Sequence, residues 1–325
     1  SPSDYVSGPA KPLVGMLVHE PLMRWAAQKE DRITCLRHLN DLPAEVRLAI
    51  LQQNSIEDFA RNSLLFGCYS SSDETNVRFL LSVATEFYQH LKTDQELCFF
   101  FFSPCLAPFV DLLNRYQSIL KELNISSIEL NDLTDGSHRV IPLNQQSRRK
   151  IRCIFSPLQP SDATQIFMAS EKEMQTTGDQ SWSEGVSAKK HWIQDRRIHK
   201  AEYLKGILDL SEQLAREKQG AFIRLNEHLQ KLYGRQPYNL APHVGYENCA
   251  LFLAESRQHP ELAHAWDILN QRLLENNIRQ WVVGKIVWKV LEKAYPQEFA
   301  HLQGMVGRTL KGEELQRFFQ HLSRA

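Results

Sequence analysis

The chain has few glycines and lacks the glycine-rich motifs that hold phosphate groups in the common nucleotide-binding folds. Gly accounts for 14 of its 325 residues, against an average usage of about 7%. Neither GxGxxG nor GxxxxGK[ST] occurs in the sequence, and both motifs act by bringing backbone N–H groups against phosphate. The sequence therefore argues against a dinucleotide-dependent dehydrogenase and against a P-loop ATPase.

The chain also lacks an excess of charge of either sign. Lys and Arg together number 38 and Asp and Glu together number 38, which gives a formal net charge of +0 at pH 7. A balanced chain produces no global field that would attract nucleic acid or an anionic membrane. We therefore expect no nucleic-acid partner.

Paired cysteines and long hydrophobic runs are missing as well. No CxxC occurs, which excludes a zinc ribbon and favours reduced thiols in a cytosol-like compartment. The apolar run Leu13–Val18 is too short for a membrane span or the core of a signal peptide. We expect an intracellular, cytoplasmic protein without integral membrane contact, and no motif predicts a cofactor or a metal. The six cysteines are Cys35, Cys68, Cys98, Cys105, Cys153 and Cys249.

What the sequence does contain is mostly helical periodicity. Apolar residues recur at helical spacing between Pro21 and Leu91, and again from Lys189 onward. The middle of the chain differs, because LCFFFF at Leu97–Phe102 is a continuous apolar run typical of a buried strand. Four further β-like segments follow it, separated by turn residues: SSIEL, HRVIPL, RKIRCIF and ATQIFMA.

These patterns predict a mainly α protein with a small antiparallel β-sheet near residues 97–170 and a C-terminal helical bundle. Residues 171–188 are polar and poor in apolar side chains, so we expect a linker or exposed loop there. The predicted parts are an N-terminal region over 1–170, with a small α+β portion, and an α-helical bundle over 189–325.

One segment of the N-terminal region, Asp41–Tyr69, has a more distinctive pattern. Asp41 can cap a helix whose first turn holds Pro43, a position that tolerates proline. Ser55 and Asp58 have the spacing of a capping box at the start of a following helix. The run LPAEVRLAIL followed by SIEDFARNSLLFGCY resembles an F-box.

The resemblance implies a non-enzymatic adaptor for protein–protein interaction. F-box helices dock into the Skp-type adaptor of a cullin–RING ubiquitin ligase, while the rest of the chain holds a target protein. Together with the sparse glycine, the resemblance also suits a bacterial effector that acts in the cytosol of a host cell. The implied docking residues are Leu42, Pro43, Val46, Ile50, Leu51 and Phe59.

Two other classes of function stay open. A cysteine-dependent transferase or hydrolase would use Cys249 or Cys105, since both are expected near helix N-termini, where the helix dipole stabilises a thiolate. A lipid- or GTPase-binding regulator would use a basic helix over 189–235, which carries eleven Lys or Arg against six Asp or Glu. The sequence leaves enzymatic activity undecided and leans towards a protein that is not an enzyme.

Overall fold

The computed structural model of the chain describes residues 18–28, 30–70, 72–105, 107–144, 146–177, 179–194, 201–234 and 245–275, with only the backbone given at 179 and 201–203. The part of the C-terminal bundle predicted beyond residue 275 lies outside the described residues.

The described residues form a seven-stranded sheet in the order β4-β3-β5-β2-β1-β6-β7. Within it the neighbouring strands run parallel, apart from the antiparallel pair β3–β4 at one edge. The strands are β1 (Ser63–Cys68), β2 (Glu96–Phe101), β3 (Ile125–Asp132), β4 (Ser137–Pro142), β5 (Arg149–Phe155), β6 (Glu173–Thr176) and β7 (His191–Gln194).

Helices precede the sheet, connect its strands and follow it. The first group is α1 (Glu20–Gln28), α2 (Arg32–Arg37), α3 (Ala44–Leu51) and α4 (Ile56–Asn62). The connecting helices are α5 (Asp73–Thr85), α6 (Ala107–Arg115), α7 (Gln117–Glu122), α8 (Pro160–Ala169) and α9 (Asp179–Ser187). The last group is α10 (Ala201–Lys218), α11 (Ala221–Tyr233), α12 (Tyr246–Gln258) and α13 (Pro260–Glu275).

Both faces of the sheet are covered, as is usual for parallel strands. Along β2, Phe99 and Phe101 pack into the core beneath α5, α6 and α12, whereas Cys98 and Phe100 pack into the core beneath α3 and α8. Strand side chains point alternately to the two faces, so a strand buried on both sides is apolar throughout. This explains the unbroken apolar run that the sequence shows at β2.

The predicted fold class was wrong, because the sheet is large and mostly parallel and the architecture is α/β. The segments at β2, β3, β4 and β5 were expected to be strands and are strands. However, ATQIFMA belongs to α8, which starts at Pro160. Strand β1 was taken for part of a helical F-box segment, although its six residues are all buried.

The polar segment 171–188, expected to be a linker or an exposed loop, forms β6 and α9 instead. Its residues from Glu173 to Thr177 and from Ser181 to Ala188 are buried. A polar segment can occupy an interior only if its side chains find hydrogen-bond partners there. The hydrogen-bond partners of these buried polar side chains therefore bear on where a functional site lies.

The region 189–235, predicted as one basic helix, consists of β7, α10 and α11 over its described residues. Among the helices of the described part, none is both long and apolar enough to cross a bilayer.

Candidate functional site at the carboxyl edge of the sheet

Five of the six side chains expected to dock an adaptor are packed inside this chain. Leu42, Val46, Ile50, Leu51 and Phe59 form one cluster with side chains of β1, β2, β5 and α8, and each is at most 8% exposed. The sixth residue, Pro43, is exposed.

Helix α3, which carries Val46, Ile50 and Leu51, is also held in place by a buried charge. Arg152 on β5 donates hydrogen bonds of 2.7 Å to the carbonyl oxygens of Ala49 and Ile50 at the end of α3. Its guanidinium also donates to Oε2 of Glu96 at 2.7 Å. Docking through the inner face of α3 would require that helix to leave the sheet and break these contacts.

Of the two helix caps predicted from the sequence, one is confirmed and the other is wrong. Ser55 is the N-cap of α4, and its hydroxyl accepts from the backbone N–H of Asp58, as expected from the capping box. By contrast, Asp41 lies in a short 3-10 turn, and the N-cap position of α3 is Pro43, which offers no side-chain cap.

The two candidate nucleophiles are poorly suited to form thiolates. Burial raises the pKa of Cys249 to about 12. Burial, followed by the charges of Asp132 and Asp73, raises the pKa of Cys105 to about 11. A reactive cysteine needs a lowered pKa and an electropositive, accessible setting, so neither thiol has the properties of an activated nucleophile.

The predicted basic surface is partly neutralised by ion pairs. Lys205 pairs with Asp209 and Arg216 with Glu212 along α10. Lys190, which was counted in that surface, is only 3% exposed. Among the described residues of this region, the excess of positive charge therefore does not form one continuous exposed face.

The topology draws attention to the place where β1 and β6 end. From β1 the chain proceeds through α5 to β2 on one side, and from β5 it returns through α8 to β6 on the other side of β1. Where two such connections lead away in opposite directions, an open α/β sheet typically leaves a crevice beyond the carboxyl ends of the two strands, here β1 and β6. Open α/β sheets bind their ligands at such switch points.

Buried polar side chains gather where β6 and β7 end. The hydroxyl of Thr176 donates to Oε1 of Gln194 at 2.5 Å, and Nε2 of Gln194 donates to the carbonyl oxygen of Thr177 at 3.0 Å. Nε2 of Gln175 donates to the carbonyl oxygen of Thr176 at 2.9 Å. These four residues are at most 8% exposed, so the carboxyl ends of β6 and β7 are joined by a buried network of polar groups.

One hydroxyl in this network has no partner in the described part of the chain. Oγ1 of Thr177 is buried without a hydrogen bond, although the backbone N–H of the same residue donates to Oγ of Ser181 at 3.3 Å. Burying an unpaired hydroxyl costs on the order of 1–3 kcal/mol. Thr177 lies two residues before Asp179, the first residue of α9, and the first N–H groups of a helix have no partners within it.

An exposed aromatic ring lies at the carboxyl end of β1. Tyr69 directly follows β1, and its backbone N–H donates to the carbonyl oxygen of Gln175 on β6 at 3.0 Å. Its ring is 43% exposed and lies 5.6 Å from the ring of Phe102, which follows β2. The backbone of Tyr69 is thus hydrogen-bonded to a residue two positions before Thr177.

The helix that follows β1 carries negative charge at its start. Ser72 caps α5 by accepting from the backbone N–H of Thr75. Burial raises the pKa of the Asp73 carboxyl, and the charge of Glu74 adds to this shift. Helix α9 also begins with an acidic residue, Asp179, so the two helix starts do not differ in carrying a carboxylate.

No protein-family profile matches the chain, and a comparison with curated proteins finds no relative.

Sequence reasoning missed this site because polar residues ordinarily indicate a loop. The run QTT before α9 and the run SWSE within it are polar, yet all these residues are buried. One feature of the sequence did indicate burial, namely the two tryptophans Trp182 and Trp192 in and near a segment otherwise typical of a linker. Both are fully buried, with rings 5.8 Å apart.

Proposed function

We propose that this protein binds a phosphate-bearing small molecule with a planar ring, such as a nucleoside diphosphate, in the crevice between the carboxyl ends of β1 and β6. The observation that carries the proposal is the reversal of strand order between these two strands, which is the position of ligand sites in open α/β sheets.

The phosphate end of the ligand fits the start of α9. Free N–H groups and the positive end of the helix dipole make a helix N-terminus favourable for an anion. The hydroxyl of Thr177 adds a donor that has no partner of its own in the described structure. These donors explain how an anion can be held without a glycine-rich phosphate motif.

The ring of the ligand fits the exposed face of Tyr69. Aromatic rings stack favourably on one another in offset or tilted arrangements, and Phe102 supports Tyr69 from below. The hydrogen bond between Tyr69 and Gln175 keeps this ring close to the end of β6. The proposal is that a single ligand contacts both Tyr69 and Thr177.

Binding of ADP, UDP and inorganic pyrophosphate to the full chain, measured by isothermal titration calorimetry, tests the proposal. Thr177→Val should weaken all three probes tenfold or more, because a hydrogen bond to a charged group contributes about 1.5–3 kcal/mol. Tyr69→Ala should weaken only the two nucleotides, because stacking on a base contributes about 1–3 kcal/mol.

A matched control is Val140→Ala, at an exposed position on the edge strand β4, and it should change nothing. Failure of all three probes to bind, or equal binding by the parent and both site variants, would overturn the proposal.

We also infer that the protein works in a reducing compartment such as the cytoplasm. All six cysteines are free thiols, whereas proteins of oxidising compartments commonly form disulfides. Mass spectrometry of protein alkylated directly after lysis of its native cells should find the thiols reduced, and a native disulfide would contradict the inference.

A further inference from the structure

A second cleft opens at the amino edge of the sheet, opposite the site proposed above. It has a volume of about 480 Å³ and lies between α1, α2, α13 and the segments that lead into β6 and β7. This size falls in the range of about 300–1,000 Å³ that is typical of small-molecule sites. Its apolar wall includes Trp25, Ala26, Ala169 and Ala188.

One side of the cleft holds a buried ammonium group that lacks a full set of acceptors. Nζ of Lys190 donates to the carbonyl oxygens of Ser170 and Glu171 at 2.7 and 3.0 Å. A lysine ammonium has three donors, and the described residues provide no third oxygen within hydrogen-bond distance. The group also lies 5.4 Å from the centre of the Trp25 ring.

The nearby carboxylates are already engaged. Glu171 pairs with Arg32 at 2.9 Å and with Arg257 at 3.1 Å. Glu30 accepts from Nε1 of Trp25 at 2.9 Å. The side chain of Lys190 is therefore buried near carboxylates that already have other partners, and an additional anionic group in the cleft would complete its contacts.

Helix α13 carries an acceptor that lacks a hydrogen-bond donor among the described residues. Oδ1 of Asp267 is buried and has no hydrogen-bond partner in the described structure, and this residue also lines the cleft. Asp267 lies one helical turn before Asn270, whose Nδ2 contacts the carbonyl oxygen of Lys190 at 3.3 Å. Within the described structure, the cleft is thus lined both by a carboxylate oxygen without a donor, on Asp267, and by an ammonium group with a donor to spare, on Lys190.

We propose that this cleft binds an apolar α-amino acid as a zwitterion, with its carboxylate at Lys190, its ammonium group at Asp267 and its side chain along Trp25. The two charged ends of such a ligand supply the two missing partners. The apolar wall accommodates the side chain, because the cleft residues on that side carry indole and methyl groups.

Calorimetric titration of the full chain with leucine, methionine, phenylalanine and tryptophan tests this proposal. At least one of the four amino acids should bind. For phenylalanine, the matched probes are phenethylamine, which lacks the carboxylate, and 3-phenylpropanoate, which lacks the amine. For any other amino acid that binds, the probes are its amine and its deaminated acid. Each matched probe should bind at least tenfold more weakly than the parent amino acid.

Variants then assign the two ends. Asp267→Asn should weaken binding of the amino acid tenfold or more and leave the deaminated acid unchanged. Lys190→Met should also weaken binding of the amino acid tenfold or more, but should leave binding of the matched amine unchanged. Lys121→Met, at an exposed lysine of α7 outside the cleft, is the control and should bind like the parent.

If Lys190→Met does not fold, the matched probes and Asp267→Asn still decide the question. The proposal is overturned if none of the four amino acids binds, if the matched probes bind as tightly as the amino acid, or if Asp267→Asn binds it like the parent. Thr177→Val should leave this binding unchanged, which separates the cleft from the carboxyl-edge site.

Discussion

At the scale of single residues, Thr176 and Thr177 at the end of β6 occupy contrasting positions. Both are buried, and they are adjacent in sequence. The hydroxyl of Thr176 donates to Gln194, whereas the hydroxyl of Thr177 has no partner in the described structure. A satisfied hydroxyl contributes to stability, while an unsatisfied one reduces it and persists where binding requires it.

Valine substitutions at these two threonines should therefore affect stability in different ways. Thr176→Val should lower the free energy of unfolding by about 1–3 kcal/mol, because it leaves an amide oxygen of Gln194 without its donor. Thr177→Val should change it by less than about 0.5 kcal/mol or raise it. Urea denaturation measures both values, and a larger loss for Thr177→Val would show that its hydroxyl is structural.

His191 gives the protein a predictable sensitivity to acid. Burial, followed by the charges of Lys172, Arg257 and Lys190, lowers the pKa of His191 well below its ordinary value of 6.5. Its two ring nitrogens have no hydrogen-bond partner in the described structure, and the ring stacks on Trp266 at 4.5 Å.

As the pH falls below about 6.5, the unfolded chain binds a proton at His191 that the folded chain does not bind. The free energy of unfolding should then decrease by up to about 1.4 kcal/mol per pH unit from this group. His191→Phe keeps the stacking and should remove that part of the pH dependence in urea denaturation. His264→Phe, at an exposed histidine of α13, leaves His191 in place and should retain its part of the slope, and identical slopes in both variants would refute the assignment.

At the scale of secondary-structure elements, α3 shows how one pattern supports two interpretations. Its apolar stripe fits a docking helix and fits equally a helix that covers a sheet. In the structure Ile50 is fully buried, whereas Leu48 on the outer side is 57% exposed. The adaptor hypothesis stays a prediction, and it would require this packed helix to detach.

Alanine substitutions within α3 distinguish these interpretations. If α3 is part of the core, Ile50→Ala should lower the free energy of unfolding by about 2–5 kcal/mol. Leu48→Ala should change it by less than about 0.5 kcal/mol. Equal and small effects would mean that the inner face of α3 is not packed, and a Skp-type adaptor should then retain the parent chain but not Leu42→Ala/Pro43→Ala.

The elements also show how far the sequence alone could be interpreted. Strands β2 to β5 carry clear apolar or alternating patterns, and their positions were predicted. Their pairing was predicted to be antiparallel, which holds only for β3 and β4, because parallel partners are brought together by crossover connections that a local pattern does not show. Strand β1 was missed because its short apolar run follows α4 without a break, and β6 was missed because its buried residues are mostly polar.

The candidate site was harder to predict than the fold for the same physical reason. Polar residues such as Thr177 and Gln194 have the composition of a loop until their burial is known. Only the three-dimensional structure shows that β1 and β6 are parallel neighbours, so that their carboxyl ends lie side by side. The residues of α3 were prominent in sequence because a helical apolar stripe is a local pattern.

At the scale of the whole described fold, the sheet separates two sites of different chemistry. Its carboxyl edge offers hydroxyls, a helix N-terminus and an exposed aromatic ring. Its amino edge offers a buried ammonium group, an unpaired carboxylate oxygen and an apolar wall. In both places polar atoms are buried without partners, which folding alone disfavours and which a bound ligand would correct.

Hydrogen exchange measured by mass spectrometry tests the central claim most directly. The full chain is compared with and without a saturating concentration of the nucleoside diphosphate that binds best. Exchange should slow in the segments around Cys68–Val77 and Gln175–Glu184, because the ligand covers the ends of β1 and β6 and the starts of α5 and α9. Unchanged exchange in these two segments, or protection confined to other parts of the chain, would contradict a ligand site at the carboxyl edge.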